Sequence, residues 1–359
     1  MYSSVLITGG AGFIGTYLIK LLSVKGYVNI IVIDNLHPQI HGRNAVIDPV
    51  LDSKISYFYQ LDITNKTEVA KVIKRHQPEL VIHLAAETGT GQSYDSISRY
   101  VNTNVQGTAI LIDLLRQYSS QTKKIILASS RAVYGEGAYI DQSNHRLTPD
   151  ARDYADMQRG LFEHKNLTSV ATCETDAIDP ASIYGSTKLM QEYLINQGFS
   201  NTNIQVIILR FQNVYGKGQA LNNPYTGVLC AFVKAIYNNA PINIFEDGLI
   251  SRDFVHVQDI AVAIEQAISL DKIDRNKNII NIGSGVRISI LHIAQLMLKI
   301  SAKQDNLLQI SGDFRVGDIR HALSDIKYAR QLLDFKTSIS LQQGLVEFVR
   351  DGFEQLAES

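Results

Sequence analysis

The fold of this chain is decided by the stretch Ser4-Val5-Leu6-Ile7-Thr8-Gly9-Gly10-Ala11-Gly12-Phe13-Ile14-Gly15. An apolar run ends at Thr8, and glycines follow at positions 9, 12 and 15. In this spacing Gly9 permits a tight turn, Gly12 lets the backbone approach a phosphate group, and Gly15 lets the next helix pack closely on the strand. The stretch therefore predicts a strand, a turn and a helix whose N-terminus attracts an anion. A purely structural glycine turn is the alternative.

Outward from this turn, short runs that are apolar throughout alternate with helical stretches. Such runs are typical of parallel strands that are covered on both faces. The predicted strands are Ser4–Thr8, Asn29–Ile33, Ile55–Tyr59, Leu80–Leu84, Lys124–Ala128 and Gln205–Leu209. The predicted helices between them are Phe13–Val24, Lys66–His76, Ser98–Tyr118 and Ile183–Asn196. Repeated strand–helix units predict an α/β protein with a Rossmann-type, doubly wound parallel sheet.

The pattern changes after Arg210, where helices alternate with short strands and glycine-containing turns. These helices lie near Val228–Asn238, Val257–Ser269, Ile288–Ile300 and Ser340–Gln355. The 359 residues allow about two domains. We therefore predict a dinucleotide-binding domain over residues 1–210, with an insert at 135–180, and a smaller mixed α/β substrate-binding lobe over 211–359. Residues 36–54 form a second long connection, and connections of this length are usually functional or mobile.

The composition excludes several classes of protein. The chain has 34 Lys and Arg against 35 Asp and Glu, so it lacks the basic excess that a nucleic-acid partner requires. Its apolar runs are shorter than the ~20 residues that cross a bilayer, and Met1-Tyr2-Ser3-Ser4 does not begin a signal peptide. Two cysteines are too few for a disulfide framework. We expect a cytoplasmic protein without nucleic-acid or membrane partners.

A candidate cofactor site surrounds the glycine turn. Asp34 lies 19 residues beyond Gly15, where a carboxylate accepts hydrogen bonds from a ribose diol and repels a 2′-phosphate. The sequence therefore favours NAD over NADP. Asp62, beside Ile63, follows the third strand and either contacts the adenine or caps the next helix. The small residues that end the fourth strand suit a cofactor passing close overhead; this segment is Leu84, Ala85 and Ala86.

Tyr184 and Lys188 form a candidate catalytic pair at positions i and i+4 of a helical stretch. A phenol with a pKa near 10 is a poor base at neutral pH, but a nearby ammonium and a positively charged nicotinamide favour the phenolate. Such pairs also occur by chance in many helices. Ser129 and Ser130 strengthen the assignment, because they end the fifth strand at the sheet edge where doubly wound folds bind ligands.

With these residues the sequence resembles the extended short-chain dehydrogenase/reductases of the nucleotide-sugar epimerase/dehydratase group. The matching segments follow the family's order over nearly the whole chain: Thr8–Gly15, Asp34-Asn35, His83–Ala86, Asn104–Thr108, Ser129-Ser130, Val133–Gly135, Tyr184–Lys188, Leu209–Gly216, Gly248–Asp259 and Gly317-Asp318. The resemblance implies a Rossmann-type fold, bound NAD and a nucleotide-sugar substrate.

The resemblance also implies roles for single residues. Tyr184 is the expected general base, Lys188 its pKa partner and a ligand of the nicotinamide ribose, and Ser130 the hydrogen-bond partner of the substrate. The expected cofactor residues are Gly9, Gly12, Phe13, Ile14, Gly15, Asp34, Asn35, Asp62, Ile63, Leu84, Ala85, Ala86, Asn104, Ser129, Tyr184 and Lys188. The expected substrate residues are Glu87, Thr88, Gln92, Ser130, Arg131, Asn213, Arg252, Arg315 and Asp318. Arginine forks suit a diphosphate, although a surface arginine is more often only solvated. His83 and His256 are expected to be structural.

The residues after Ser130 bear on the reaction. In the family, 4,6-dehydratases carry Asp-Glu at this place and decarboxylases keep the Glu, whereas this chain has Arg131-Ala132. The resemblance therefore favours 4-epimerisation through a 4-keto intermediate. Asp34–Gly42 and Ala86–Ser93 resemble the dTDP-L-rhamnose 4-epimerase-like subgroup, and a loop that supports the lobe interface is the alternative for the second segment. A 4-ketosugar reductase or dehydrogenase, a 4,6-dehydratase and a non-enzymatic NAD-binding scaffold stay open.

The insert and the oligomeric state complete the expectations. Related chains can carry Cys-x-x-Cys pairs in the insert, whereas here Cys173 stands alone with His164 nearby. We therefore expect no metal and a loop that caps the sugar pocket. The resemblance implies a dimer built through a four-helix bundle of the helix that carries Tyr184 and the helix near Ser98–Tyr118. The second of these is apolar on several faces, through Ile110, Leu111, Ile112, Leu114 and Leu115. This pattern favours a homodimer.

Overall fold

The structure is a computed structural model that describes residues 2–42, 45–221, 227–315 and 317–358. Its strands are β1 Val5–Thr8, β2 Ile30–Asp34, β3 Tyr57–Gln60, β4 Leu80–His83, β5 Lys124–Ser130, β6 Tyr139–Ile140, β7 Arg146–Leu147, β8 Thr168–Ser169, β9 Gln205–Phe211, β10 Asn213–Tyr215, β11 Ile242–Ile244, β12 Ser251–Arg252, β13 Phe254–His256, β14 Ile279–Ile282, β15 Ile288–Ser289 and β16 Leu308–Ile310. Its helices are α1 Phe13–Val24, α2 Pro38–His41, α3 Pro49–Asp52, α4 Lys66–His76, α5 Thr90–Asp95, α6 Ile97–Tyr100, α7 Gly107–Tyr118, α8 Tyr154–Gln158, α9 Ile183–Gly198, α10 Val228–Tyr237, α11 Val257–Ser269, α12 Ile290–Ile300, α13 Lys327–Leu333 and α14 Leu341–Ala357.

A parallel sheet of seven strands, in the order β14-β9-β5-β4-β1-β2-β3, forms the centre of the molecule. β1 lies between β2 and β4, with Val5 opposite Ile30 on one side and Leu80 on the other. Helices α1, α11 and α13 cover one face of the sheet, and α4, α7 and α9 cover the other. Because both faces are covered, β1, β2 and β4 are buried along their whole length. The predicted Rossmann-type fold is confirmed.

The second half of the chain divides between the sheet and a separate core. Helices α10, α12 and α14 pack around their own hydrophobic cluster. Strand β14 instead joins the central sheet beside β9, and α11 and α13 cover it. The sequence pattern did not indicate β14 as a strand of this sheet. The division at residue 210 stays a prediction. Three elements that follow residue 210 pack with the first half of the chain; they are β14, α11 and α13.

The helix predicted over Ser98–Tyr118 has a local change of winding. It begins with α6, continues through a π-helical segment at Val101–Gln106, and ends as α7. Such π segments often occur at functional sites. The five apolar residues of α7 that suggested a dimer surface are all buried within the single chain. That argument for a dimer was therefore wrong, since these side chains are used by the chain's own core.

The insert at 135–180 has a structure of its own. Its strands β6, β7 and β8 form a small antiparallel sheet, and α8 lies between β7 and β8 along the chain. The connection at 36–54 contains α2 and α3, and its residues 43 and 44 lie outside the described residues. Among the described helices, none has the length and apolarity that a membrane span requires.

His83 at the end of β4 joins three elements below the sheet edge. Its ring contacts Thr8 Oγ1 at 2.6 Å and Thr108 Oγ1 at 2.9 Å. Burial, followed by the charge of Lys188, lowers the pKa of His83 from 6.5 to about 3. The neutral ring is therefore a structural bridge between β1, β4 and α7, as the sequence predicted.

We expect this bridge to make the fold sensitive to acid. The pKa of His83 is lower in the folded than in the unfolded chain, so below pH 6.5 the unfolded chain binds more protons. The free energy of unfolding should fall by on the order of 1 kcal/mol per pH unit between pH 6 and pH 4 from this residue. Urea denaturation should show a shallower fall for His83→Gln than for the exposed control His145→Gln. Equal slopes in both variants would disprove the assignment.

Candidate active site

The carboxyl ends of the central strands open into a large cavity. It has a volume of about 1590 Å³ and is lined by residues from both halves of the chain. Pockets for one small ligand usually measure ~300–1,000 Å³. The cavity therefore has room for a dinucleotide and a second ligand together.

The glycine turn forms one wall of this cavity and allows a close approach. Gly9 has a φ of +71°, and a Cβ there would lie 2.6 Å from the backbone nitrogen of Ala85. A Cβ at Gly15 would collide with the carbonyl oxygen of Gly10. Gly12 precedes α1 without a capping side chain, so the helix N-terminus faces the cavity uncovered. This cradle fits a pyrophosphate, and the wall continues through Phe13, Ile14, Leu84, Ala85 and Ala86.

Asp34 ends β2 at the same cavity and is tied to the glycine turn. Its Oδ2 accepts a hydrogen bond from the backbone of Ala11 at 3.0 Å, and its Oδ1 accepts one from Leu36 at 2.9 Å. A carboxylate offers about four acceptor positions. Asp34 can therefore accept ribose hydroxyls in addition to these bonds, which agrees with its predicted role.

Asp62 lies next to Asn35, whose Nδ2 donates to Asp62 Oδ2 at 3.0 Å. The other carboxylate oxygen of Asp62 accepts the backbone and hydroxyl protons of Thr64. The N-cap of α4 is Asn65, so the helix-cap alternative for Asp62 is wrong. Asp62, Asn35 and the neighbouring Ile63 all line the cavity. This placement keeps them as candidates for the adenosine end.

Asn104, predicted to contact the cofactor, is fully buried and lies outside the described lining residues. Its Oδ1 accepts from the backbone of Glu87 at 2.7 Å, and its Nδ2 donates to Glu87 O at 3.1 Å and to Thr187 Oγ1 at 3.0 Å. It thus joins the loop after β4 to α9. Asn104 lies on the π-helical segment, where its contacts with Glu87 and Thr187 support the cavity wall from behind.

Ser130 and Tyr184 meet in the cavity. Ser130 ends β5, and Tyr184 is the second residue of α9, whose N-terminus is capped by Ser182. Both side chains line the cavity, and the Ser130 hydroxyl lowers the pKa of Tyr184. Lys188 follows one turn later but is only 3% exposed and lies behind the described lining residues. Its contact with a nicotinamide ribose stays a prediction.

Burial dominates the ionisation of this pair. Burial raises the pKa of Tyr184, whereas the Ser130 hydroxyl lowers this pKa. Burial also lowers the pKa of Lys188 to about 7, although the charge of Glu192 raises it. Both groups are therefore pushed toward their neutral forms. A phenolate at Tyr184 needs positive charge from a group bound in the cavity, in addition to Lys188.

A buried ion pair behind Lys188 was not predicted from the sequence. Arg210 donates to Glu192 through Nε at 2.9 Å and Nη2 at 2.6 Å, and Ser129 donates its hydroxyl proton to the same carboxylate. Arg210 and Glu192 are both buried. This network ties α9 to the ends of β5 and β9, and so fixes the helix that carries Tyr184. The position of Glu192, four residues after Lys188, was the sequence signal that could have indicated a carboxylate behind the lysine.

The residues predicted to touch the sugar on the β4 side line the cavity but have partners within the chain. Glu87 forms a two-pronged ion pair with Arg99, at 2.8 Å and 2.7 Å. Gln92 shares a hydrogen bond of 3.0 Å with Gln39 from the loop after β2. The carbonyl of Thr88 accepts from a tyrosine hydroxyl. The segment therefore joins the two loops above the glycine turn, and its contact with a sugar stays a prediction.

The predicted diphosphate residues also line the cavity; they are Asn213, Arg252 and Arg315. The predicted substrate residue Asp318 lines it too. Arg252 donates to the backbone carbonyls of Ser251 at 2.8 Å and Ile319 at 3.0 Å. Arg131, also in the lining, donates to Gly135 O at 2.6 Å. Burial and then the charge of Arg252 lower the pKa of Arg131 to about 10. Two arginines that repel each other in a buried cavity form a site for an anion.

The insert does not cap this cavity as the sequence suggested. The described lining residues come from positions 9–135 and 181–355, and none comes from 136–180. Cys173 is a free thiol whose sulfur lies 3.7 Å from an arginine nitrogen. The insert instead packs against the second half of the chain, because its buried charged residues find partners there.

A doubly wound sheet with a glycine-rich turn and a serine–tyrosine pair in one cavity defines an enzyme of the short-chain dehydrogenase/reductase class. Residues 5–159 and 160–283 match the family described as "NAD dependent epimerase/dehydratase family". The chain belongs to this family. Membership confirms the resemblance and the predicted cofactor, NAD.

Individual relatives carry the comparison further. A dTDP-L-rhamnose 4-epimerase of Burkholderia thailandensis is 37% identical over 344 residues, which cover 96% of this chain and 93% of that protein. A UDP-glucose 4-epimerase solved with UDP-glucose, from Thermotoga maritima, matches with a TM-score of 0.78 and 26% identity over 98% of this chain and 99% of that one. A UDP-glucuronic acid 4-epimerase from Bacillus cereus, in complex with UDP-glucuronic acid and NAD, has a TM-score of 0.75 and 27% identity over 98% and 99% of the two chains.

Proposed function

We propose that this enzyme epimerises C4 of a nucleotide-activated sugar through a 4-keto intermediate, with a dTDP- or UDP-linked sugar of the L-rhamnose type as substrate. One observation carries the proposal. Ser130 and Tyr184 bring two hydroxyls to the same cavity, and Arg131-Ala132 follows where dehydratases of the family place carboxylates. The arrangement supports proton transfer at one oxygen and lacks the acid and base for water loss at that place. The similarity to a dTDP-L-rhamnose 4-epimerase supports the same sugar class.

The chain's own groups have distinct tasks in this reaction. A bound NAD would supply hydride transfer at the sugar and the positive charge of its oxidised ring. Tyr184 takes the C4 hydroxyl proton and later gives it back, while Ser130 orients the same oxygen. Lys188 stabilises the phenolate from behind. The cradle at Gly9 would hold the pyrophosphate of the cofactor.

The arginines serve the other substrate group. Arg252 and Arg315 would hold the diphosphate, which leaves the sugar free to turn about its phosphate link. Arg315 lies with its guanidinium carbon 4.7 Å from the ring centre of Phe245, so the ring supports the side chain. Firm binding of the nucleotide is what keeps the turning sugar near Tyr184.

The test is turnover of defined sugars by the purified enzyme. dTDP-L-rhamnose, UDP-glucose and UDP-glucuronic acid are incubated separately, the products are read by NMR, and absorbance at 340 nm follows reduced cofactor. We expect a C4 epimer of one of them without net formation of NADH. Stoichiometric NADH would identify a dehydrogenase, and a dehydrated 4-keto product a dehydratase. Either result would overturn the proposal.

We further propose that the enzyme is a homodimer through the two helices that the sequence suggested, but through other side chains. Ile97 and Val101, before α7, are 49% and 43% exposed, and Met190 and Tyr193 on the neighbouring α9 are 43% and 46% exposed. Apolar side chains gathered on adjacent helices are typical of interaction surfaces. A second copy can cover this face with the same face of its own.

A charge introduced into this surface should dissociate the dimer. Met190→Glu should sediment as a monomer, because a carboxylate buried between apolar helices is costly. Val286→Glu changes an equally exposed apolar residue elsewhere and should stay dimeric. Sedimentation velocity measures both. A monomeric native enzyme would end the proposal.

Location belongs to the proposal as well. Cys173 is a free thiol. A free thiol suits a reducing compartment such as the cytoplasm.

A further inference from the structure

The insert presents a buried arginine to the substrate side of the molecule. Arg152 is 5% exposed at its side chain, although it precedes α8 in an otherwise polar segment. Its Nη1 lies 2.7 Å from Glu246 of the second half, and its Nε lies 3.7 Å from Glu136. Its Nη2 donates to the backbone carbonyl of Asp318 at 2.6 Å. The two carboxylates thus balance the charge of Arg152, and its Nη2 holds the loop at Asp318.

That loop carries Arg315, a candidate diphosphate residue, and Asp318, a further predicted substrate residue. Asp318 closes a turn by donating its backbone N–H to Arg315 O at 3.2 Å. Directly after it, Ile319 O accepts from Arg252 at 3.0 Å. The described residues of 311–319 form no helix or strand. The segment therefore depends on side-chain contacts for its shape.

A second arginine holds the far end of the same loop. Arg320 is fully buried and donates to Glu246 at 2.7 Å and to Glu163 of the insert at 2.7 Å. Its backbone N–H donates to Glu136 of the insert at 2.9 Å. The insert thus grips the loop at two points, at Asp318 and at Arg320. Only the Arg152 bond reaches the part that lines the cavity.

We propose that Arg152 is a positioning residue of the substrate site, and that the insert holds residues 317–320, which follow Arg315 in the chain, in the shape that binds a nucleoside diphosphate. The inference rests on the proposed function, since it takes the diphosphate site to be at Arg252 and Arg315. A loop held in its binding shape loses less conformational entropy when the ligand arrives. Loss of the Asp318 bond should therefore weaken binding of the substrate without touching the hydroxyls that react.

The experiment compares three variants of the NAD-loaded enzyme. Arg152→Gln removes the charge and the fork, Arg152→Lys keeps the charge, and Arg159→Gln is the matched control in the same insert. Arg159 is 64% exposed at its side chain and pairs with Asp156 within the insert. Binding of UDP and of dTDP is measured by calorimetry. Turnover of the accepted sugar nucleotide separates KM from kcat.

For Arg152→Gln we expect the Kd of the nucleoside diphosphate and the KM to rise about tenfold, with kcat at saturation and NAD content unchanged. Arg152→Lys should recover part of the affinity, and Arg159→Gln should match the native enzyme. Hydrogen exchange of the peptide that spans 311–321 should quicken in Arg152→Gln alone. This measurement also serves if the variant is less stable, since it reports the loop directly.

The outcomes separate the two proposals. If the native enzyme binds neither UDP nor dTDP, the proposed function fails, whatever Arg152 does. If the native enzyme binds one of them and Arg152→Gln binds it equally well, the positioning role is wrong. The role is also wrong if kcat falls while KM stays constant, because Arg152 would then act on the chemical step.

Discussion

Tyr184→Phe should lower kcat by about 10³-fold while leaving the fold and the cofactor in place. The substitution removes one oxygen and keeps the ring, so the contacts of α9 are preserved. The missing oxygen is the one proposed to accept the C4 proton as a phenolate, and such proton transfer contributes typically 10²–10⁴-fold to rate. A 10³-fold loss corresponds to about 4 kcal/mol of lost transition-state stabilisation.

The measurement needs a control on the same helix. Tyr193→Phe removes a hydroxyl from an exposed tyrosine of α9 and should keep full activity. NAD content after purification and the thermal midpoint should be equal in both variants, and kcat should differ by the full factor. A Tyr184→Phe enzyme within threefold of the native rate would show that another group moves the proton.

The parts of this site that the sequence predicted share one property: they are local. The glycine turn, the placement of Asp34 and the pair Tyr184 and Lys188 all depend on spacing within one strand–turn–helix unit. Ser130 could be brought to Tyr184 because strands of a parallel sheet end at one edge, which is a rule of the fold.

The parts that the sequence missed are partnerships between distant residues. Arg152 and Asp318 lie 166 positions apart, and a single sequence gives no signal that joins them. Glu87 illustrates the consequence, because the sequence predicted its contact with a sugar but not its ion pair with Arg99. The sugar contact stays a prediction. The strand β14 was missed for a related reason: it belongs to the sheet through its pairing with β9, whose residues lie about 70 positions earlier in the chain.

Lys188→Met should lose activity at neutral pH and regain part of it in alkali. Burial already raises the pKa of Tyr184. In its proposed role the Lys188 ammonium favours the phenolate, so its loss should leave less phenolate at pH 7. We expect kcat to fall about 10²-fold at pH 7 and to recover toward the native value as the pH approaches 10. The control Ser186→Ala, on the exposed side of the same turn, should follow the native pH profile. A loss that is the same at every pH would show that Lys188 acts only as a ligand.

Lys188→Met should also raise the free energy of unfolding, although it lowers activity at neutral pH. Because these two effects have opposite signs, measuring both is the sharper test. The pKa of Lys188 is about 7 in the folded chain and 10.5 in the free side chain. Between these values the unfolded chain binds more protons, so the native enzyme gains stability as the pH rises from 7 to 10.5 and is weakest below pH 7. Methionine carries no buried charge, so Lys188→Met should exceed the native free energy of unfolding at pH 6 by a few kcal/mol. The gap should close above pH 10. A buried ammonium kept at such a disadvantage indicates that selection acts on its charge and not on its packing, because an apolar side chain would serve the fold better.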